Sequence, residues 1–283
     1  MTPVPARRPI ERVLVHGFTG HPDTWDAALG PTGGASVLRL VPLGHDGAPA
    51  ETLATGPAGP AGFEAEVDRL AAQIRAAGPV AAGGAHLVGY SLGARLALGL
   101  VCRHGALFRC ATLIGVNPGL DDAAERAARQ AEDELRAARL LRDGLERFLI
   151  EWEAQPLFST LRRASAEARA ALLALRRRHS ASGLALCLRR LGLGVMPSYW
   201  AALGRIPQPV RLVVGAEDPK FIRIAARALP RLERGSLVVV ADAGHNVPLE
   251  QPLALRPFLA ARLAGCASAA PAPPTPQPDR GTA

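Results

Sequence analysis

Ser91, Asp218 and His245 are the residues of this sequence whose types, order and surroundings could do chemistry together. Ser91 sits in Gly89-Tyr90-Ser91-Leu92-Gly93, a Gly-x-Ser-x-Gly turn between an apolar run and a helical pattern. Such a turn lifts the serine hydroxyl clear of the backbone and sets the next N–H at a helix N-terminus, where it can stabilise negative charge. His245, in Ala243-Gly244-His245, could accept the Ser91 proton. Asp218 could hold the imidazole in the required tautomer and stabilise the imidazolium. Glu217 and Asp242 compete with it; Asp218 is preferred for its place just past a strand and before Pro219-Lys220-Phe221. Two backbone N–H groups, those of Leu92 and of Phe18 in His16-Gly17-Phe18-Thr19-Gly20, are candidates for an oxyanion hole. His16 and His45 belong to loop signatures and shape the pocket, whereas His86, inside a strand, is packed.

The elements that must position these groups alternate. β-Branched and apolar runs predict strands over residues 10–15, 36–41, 85–88, 109–115, 210–214 and 237–240. Helical spacing predicts helices over 63–77, 94–101, 221–229 and 252–264, the last with Pro257 as a kink or restart. A further helix over 23–29 takes Asp23 or Thr24 as its cap. Residues 48–62 read as a loose loop. From 121 to 191 the pattern is almost wholly helical, broken near Gly144, Gln155-Pro156 and Ser180 to Gly183. This predicts an α/β fold with a mostly parallel sheet flanked by helices. Residues 1–119 and 198–265 form its core, 120–197 a helical cap between the two halves of the sheet, and 266–283 a disordered tail. Ser91, Asp218 and His245 then all lie at strand carboxyl ends, the edge where open α/β sheets bind ligands.

Composition narrows the partners. The chain of 283 residues carries a net charge of +8, nearly all from arginine, with Lys220 the only lysine. Guanidinium groups match carboxylates bidentately, so the charge suits a small anionic substrate as well as a solvated surface. Nucleic acid is not expected, since aromatics are few and no basic run is interleaved with them. No apolar run reaches the ~20 residues needed to span a bilayer, and no signal-peptide core is evident. The four cysteines lack Cys-x-x-Cys spacing and read as reduced, mostly buried thiols, which gives a cytoplasmic expectation. No cluster has metal-ligand spacing and no cofactor is implied. The oligomeric state is left open.

The Ser-Asp-His chain order resembles that of α/β-hydrolases. A longer series is more specific: Gly-Tyr-Ser-Leu-Gly-Ala-Arg at 89–95, Asn-Pro-Gly-Leu at 117–120, Glu125-Arg126 through Arg129, Trp152 with Gln155-Pro156-Leu157-Phe158, Ala174-Leu175-Arg176, Gly194-Val195-Met196-Pro197-Ser198-Tyr199-Trp200, and Gly215-x-x-Asp218-x-Lys220-Phe221. It resembles the 2-succinyl-6-hydroxy-2,4-cyclohexadiene-1-carboxylate synthases of the menaquinone pathway over nearly the whole chain. The resemblance implies a lyase that expels pyruvate by 1,4-elimination from a multi-carboxylate substrate. In it Ser91, with His245 and Asp218, serves as general base rather than acylated nucleophile. It also implies that Arg95, Arg129 and Arg176 bind carboxylates and that Tyr90 and Trp152 line the pocket. Three departures stand out: Val41-Pro42-Leu43-Gly44-His45-Asp46-Gly47 replaces the usual Asp-Leu-Pro-Gly-His-Gly, Ala94 replaces a glycine, and the start is too short for the usual opening hairpin. The rival reading is a carboxylesterase for a neutral ester, which would give those arginines nothing to pair with; a binding protein of the same fold need not keep all three triad residues.

Overall fold

A computed structural model describes residues 8–30, 36–46 and 60–260. The expected tail, most of the 48–62 loop and the end of the last helix fall outside these residues.

Among the described residues six strands form one sheet, all parallel: β1 (Arg12–Val15), β2 (Val37–Leu40), β3 (Ala85–Tyr90), β4 (Phe108–Ile114), β5 (Val210–Gly215) and β6 (Gly235–Val240), in the order β2-β1-β3-β4-β5-β6. Because every strand runs the same way, all six carboxyl ends share one edge. The central strands are buried on both faces, which is why they read as continuous apolar runs rather than alternating ones. Val13 and Val15, Leu87, Leu113, and Leu212 with Val214 enter one core. Their neighbours Leu14, Val88, Ile114 and Val213 enter the other.

Helices cover both faces. They are α1 (Asp26–Leu29), α2 (Pro60–Ala77), α3 (Leu92–His104), α4 (Ala123–Glu153), α5 (Ala166–Arg176), α6 (Ala181–Leu191), α7 (Pro219–Ala228), α8 (Val247–Glu250) and α9 (Pro252–Ala260). Buried residues of α2, α3 and α7, among them Phe63, Leu96 and Phe221, fill the first core, and those of α1 and α9, such as Leu29 and Leu255, the second. The alternation is interrupted between β4 and β5 by α4, α5 and α6. There Ala137, Leu140, Phe148 and Leu149 of α4 pack on Leu184, Ala185 and Leu188 of α6 in a core of their own.

Several local expectations are corrected. α2 begins at Pro60, not residue 63, since Pro at a first helical position costs no hydrogen bond. The segment before α1 opens as a 3-10 turn, Pro22–Trp25, capped by His21 rather than Asp23 or Thr24. Pro22 starts that turn early, and the His21 ring then accepts from the Asp23 N–H at 3.2 Å. Gly144, by contrast, interrupts α4 as expected: at φ +82° and ψ 170° it leaves the helical conformation, as glycine can, and two helical stretches meet there at a kink. Cys102 and Cys187 are free thiols, but Cys110 is disulfide-bonded, against the expectation of reduced thiols.

Candidate active site

The chain between β3 and α3 can turn so sharply only because of its glycines. A Cβ on Gly89 would lie 2.4 Å from the Gly93 carbonyl oxygen, and one on Gly93 would lie 2.1 Å from the Val15 oxygen of the adjacent strand. Ser91 takes the left-handed region at φ +51°, costly for a non-glycine residue and held only by surrounding structure. Its hydroxyl is 3.0 Å from His245 Nε2. His245 Nδ1 is 2.8 Å from Asp218 Oδ2, and Asp218 Oδ1 accepts the Phe221 N–H at 3.1 Å. Asp218 and His245 are buried. The imidazole is enclosed by Phe221, Tyr90 and Phe158, with ring centroids 4.4, 5.6 and 6.0 Å away. Asp218 thus follows β5 and His245 follows β6, as their strand-end positions require; Glu217 faces out and pairs with Arg163.

Leu92 opens α3, so its N–H has no carbonyl within the helix to bond. Phe18 lies in the turn after β1, beside it. That turn is tied down by Gly20 N–H to Gly17 O at 2.9 Å and by Thr19 N–H to His45 Nε2 at 3.1 Å. His45 Nε2 therefore accepts, and its proton sits on Nδ1, which faces the Pro42 and Leu43 carbonyls at 3.2 and 3.3 Å. Burial holds His45 well below the ordinary histidine range and His16 down to about 3, so both are neutral supports of the turn.

Two cavities meet at Ser91. The smaller, of about 110 Å³, is lined by Arg95, Arg129, Lys220, Trp152 and His245. The larger, of about 280 Å³, is lined by Tyr90, Trp152, Phe158, Leu172, Leu175 and Arg176 among others. Arg95 and Arg129 are therefore brought together, and Arg176 is set apart on the other side of the serine. Arg95, one turn into α3, donates Nη1 to the Leu191 carbonyl at 2.8 Å and has no carboxylate partner among the described residues. Burial, then the neighbouring Arg129, push its pKa down to about 10. Arg176 is buried, pairs with Glu153, and is also lowered chiefly by burial. Its neighbours face elsewhere: Arg177 pairs with Glu146 and Arg178 with Asp46. Arg126 likewise turns back onto the Leu120 and Asp121 carbonyls, leaving Arg129 at the cavity. Trp152 packs edge-on against Phe18, centroids 5.0 Å apart, and touches both cavities.

Lys220, which lines the smaller cavity, and His179, which bonds the loop after β2, join the residues expected from sequence. Lys220 lies in the quoted Asp-x-Lys-Phe segment, and its position beside Asp218 was the available signal. His179 follows α5 and accepts the Asp46 N–H at 3.0 Å, tying the α4–α6 region to the loop after β2. Nothing in the sequence marks a contact across 133 positions. Among the described residues no group of three or more His, Cys, Asp or Glu could hold a metal ion, and no helix is long and apolar enough to cross a membrane.

A parallel sheet flanked by helices, with serine, aspartate and histidine following β3, β5 and β6 at one edge, defines an α/β-hydrolase, and the alpha/beta hydrolase family model matches residues 13–258. A 2-succinyl-6-hydroxy-2,4-cyclohexadiene-1-carboxylate synthase of Enterobacter sp. (strain 638) is 32% identical over 248 residues, covering 88% of this chain and 89% of that one. One of Salmonella agona is 32% identical over 241 residues, covering 85% and 88%. The chain belongs to the 2-succinyl-6-hydroxy-2,4-cyclohexadiene-1-carboxylate synthase family. The structure described as MenH from S. aureus superposes with a TM-score of 0.76 at 25% identity, covering 87% of this chain and 91% of that one. An esterase from Thermogutta terrifontis, at 22% identity and a TM-score of 0.68 over 87% and 86%, shares the fold.

Proposed function

We propose that this enzyme eliminates pyruvate from 2-succinyl-5-enolpyruvyl-6-hydroxy-3-cyclohexene-1-carboxylate to give 2-succinyl-6-hydroxy-2,4-cyclohexadiene-1-carboxylate, in menaquinone biosynthesis. Membership of the synthase family supports the reaction. The observation that carries the site assignment is the placement of guanidinium groups on both sides of Ser91, Arg95 with Arg129 on one side and Arg176 on the other. A substrate with three carboxylates supplies partners for such a set, and buried charged hydrogen bonds stabilise it strongly.

The ring carbon bearing the succinyl group carries the acidic proton, next to the succinyl carbonyl. Ser91 Oγ takes this proton while passing its own to His245 Nε2, and Asp218 stabilises the imidazolium formed. Negative charge moves to the carbonyl oxygen, where the Phe18 and Leu92 N–H groups receive it. The electron pair then returns through the ring double bond and expels the enolpyruvyl oxygen as pyruvate enolate, which takes up the proton held by His245 to become pyruvate, leaving the conjugated diene and a neutral imidazole. Ser91 forms no covalent bond to substrate. Tyr90 and Trp152 line the cavity walls and exclude water.

The apolar lining of the larger cavity favours the second reading, hydrolysis of a small ester through acylation of Ser91. The two are separated by offering the purified enzyme the enolpyruvyl substrate and p-nitrophenyl acetate in parallel. The elimination reading expects rapid pyruvate release and slow nitrophenol release. Fast ester cleavage without pyruvate would sink it.

A further inference from the structure

Arg129 reaches the cavity beside Ser91 in an unusual way. Its Nε lies 3.0 Å from both Oδ1 and Oδ2 of Asp133, one helical turn further along α4. Glu132 is a weaker partner of the same nitrogen at 3.7 Å. No partner of Arg129 Nη1 or Nη2 is found among the described residues, so both terminal nitrogens are left for a ligand. The Asp133 side chain is only 3% exposed and also accepts Arg136 Nη1 at 3.2 Å. It is wedged from the opposite side by Gly192, where a Cβ would come within 2.5 Å of Oδ2. Gly192 itself lines the cavity. A buried carboxylate needs a cationic partner, and here it has two guanidinium groups in direct contact and Arg95 within electrostatic reach.

We propose that Asp133 is a positioning residue: it fixes the Arg129 guanidinium by its Nε so that both terminal nitrogens serve a substrate carboxylate, and its charge offsets the repulsion between Arg95 and Arg129 while the site is empty. Nothing but arginine suits this arrangement, because a lysine ammonium cannot be held at one nitrogen and bind through two others. The inference rests on the reading of the cavity as a carboxylate site.

The test compares Asp133→Asn, Arg129→Ala and the double variant, with pyruvate release for kinetics and citrate, as a simple tricarboxylate probe, for calorimetric binding. Asp133→Asn keeps the side-chain shape and removes the charge. Its KM is expected to rise about tenfold, equivalent to about 1.4 kcal/mol, with kcat within about threefold of the parent. The citrate Kd is expected to weaken by a similar factor. The double variant is expected to be no worse than Arg129→Ala alone, since Asp133 acts through that residue. Gly192→Ala is the second variant; its Cβ would come within 2.5 Å of both Asp133 Oδ2 and the Leu188 carbonyl oxygen, so it displaces the carboxylate without changing any charge and should raise KM in the same sense even if Asp133→Asn folds poorly. An unchanged KM and citrate Kd in both Asp133→Asn and Gly192→Ala would overturn the proposal, as would multiplicative effects in the double variant. If the parent releases no pyruvate but binds citrate, the function reading fails while the citrate Kd values still decide the role of Asp133. A parent that binds neither overturns both.

Discussion

Replacing Arg95 by Met should make the protein more stable and much less active. The guanidinium is enclosed, has the Leu191 carbonyl as its oxygen partner, and faces Arg129 across the cavity. Its pKa falls from 12.5 to about 10, and at about 1.4 kcal/mol for each unit of pKa the buried charge costs the fold about 3 kcal/mol. The sign is that of a lowered base: the penalty is fully present below pH 10 and is relieved only as pH rises from there toward 12.5. Removing the charge returns this cost at neutral pH. Leaving the Leu191 carbonyl without its donor takes back about 1–2 kcal/mol, and a thioether beside Met196 fills much of the space. Arg95→Met should therefore gain about 1–2 kcal/mol in urea unfolding at pH 7. The same variant loses a charged contact to substrate, about 1.5–3 kcal/mol, so KM for pyruvate release should rise roughly 10- to 150-fold. A variant destabilised by more than about 1 kcal/mol, or one with unchanged KM, would refute the reasoning and make Arg95 a structural residue. The expected pattern is a group kept for binding at the expense of stability.

Other expectations follow from the same geometry. Asp218→Asn should leave KM nearly unchanged and lower kcat by about 10³–10⁴, because an amide facing His245 Nδ1 favours the wrong tautomer; steady-state kinetics with an unchanged circular dichroism spectrum checks it. Gly93→Ala forces a Cβ to within 2.1 Å of the Val15 oxygen and should cost about 3 kcal/mol or more in urea unfolding, since backbone on both sides must move. His16 and His86 are held down to about 3 by burial, so the unfolded chain binds their protons near pH 6.5 and the folded chain does not. Stability from these two should be constant above pH 6.5 and fall by up to about 1.4 kcal/mol per pH unit for each as pH drops toward 3. A urea midpoint that stays flat from pH 6.5 to 4.5 would contradict that sign.

Much of the fold was legible because its signals are local. Runs such as Val13-Leu14-Val15 and Leu212-Val213-Val214 could only be strands buried on both faces, and the glycines around Ser91 announced a turn that nothing larger permits. Parallel strands then put Ser91, Asp218 and His245 on one edge without further information. What was not legible depends on contacts between distant residues. His21 as a cap follows from Pro22 starting a turn early. His179 finds Asp46 only after the helices between β4 and β5 have packed. The split of the arginines into Arg95 with Arg129 on one side and Arg176 on the other is set by how α4 and α5 lie over the sheet edge, and helical periodicity alone leaves Arg126, Arg129 and Arg177 equivalent. Asp133 reads on sequence as one acid among many on a charged helix; only its burial between Arg129 and Gly192 distinguishes it.

The central claim is that Ser91 relays a proton in an elimination. It is tested most directly by following pyruvate and the conjugated diene together, from the enolpyruvyl substrate, in the parent enzyme and in Ser91→Ala. The account expects the parent to form the two products one for one, with no lag between them, and Ser91→Ala to form neither above the uncatalysed rate. Diene and pyruvate formed at the parental rate by Ser91→Ala would contradict it.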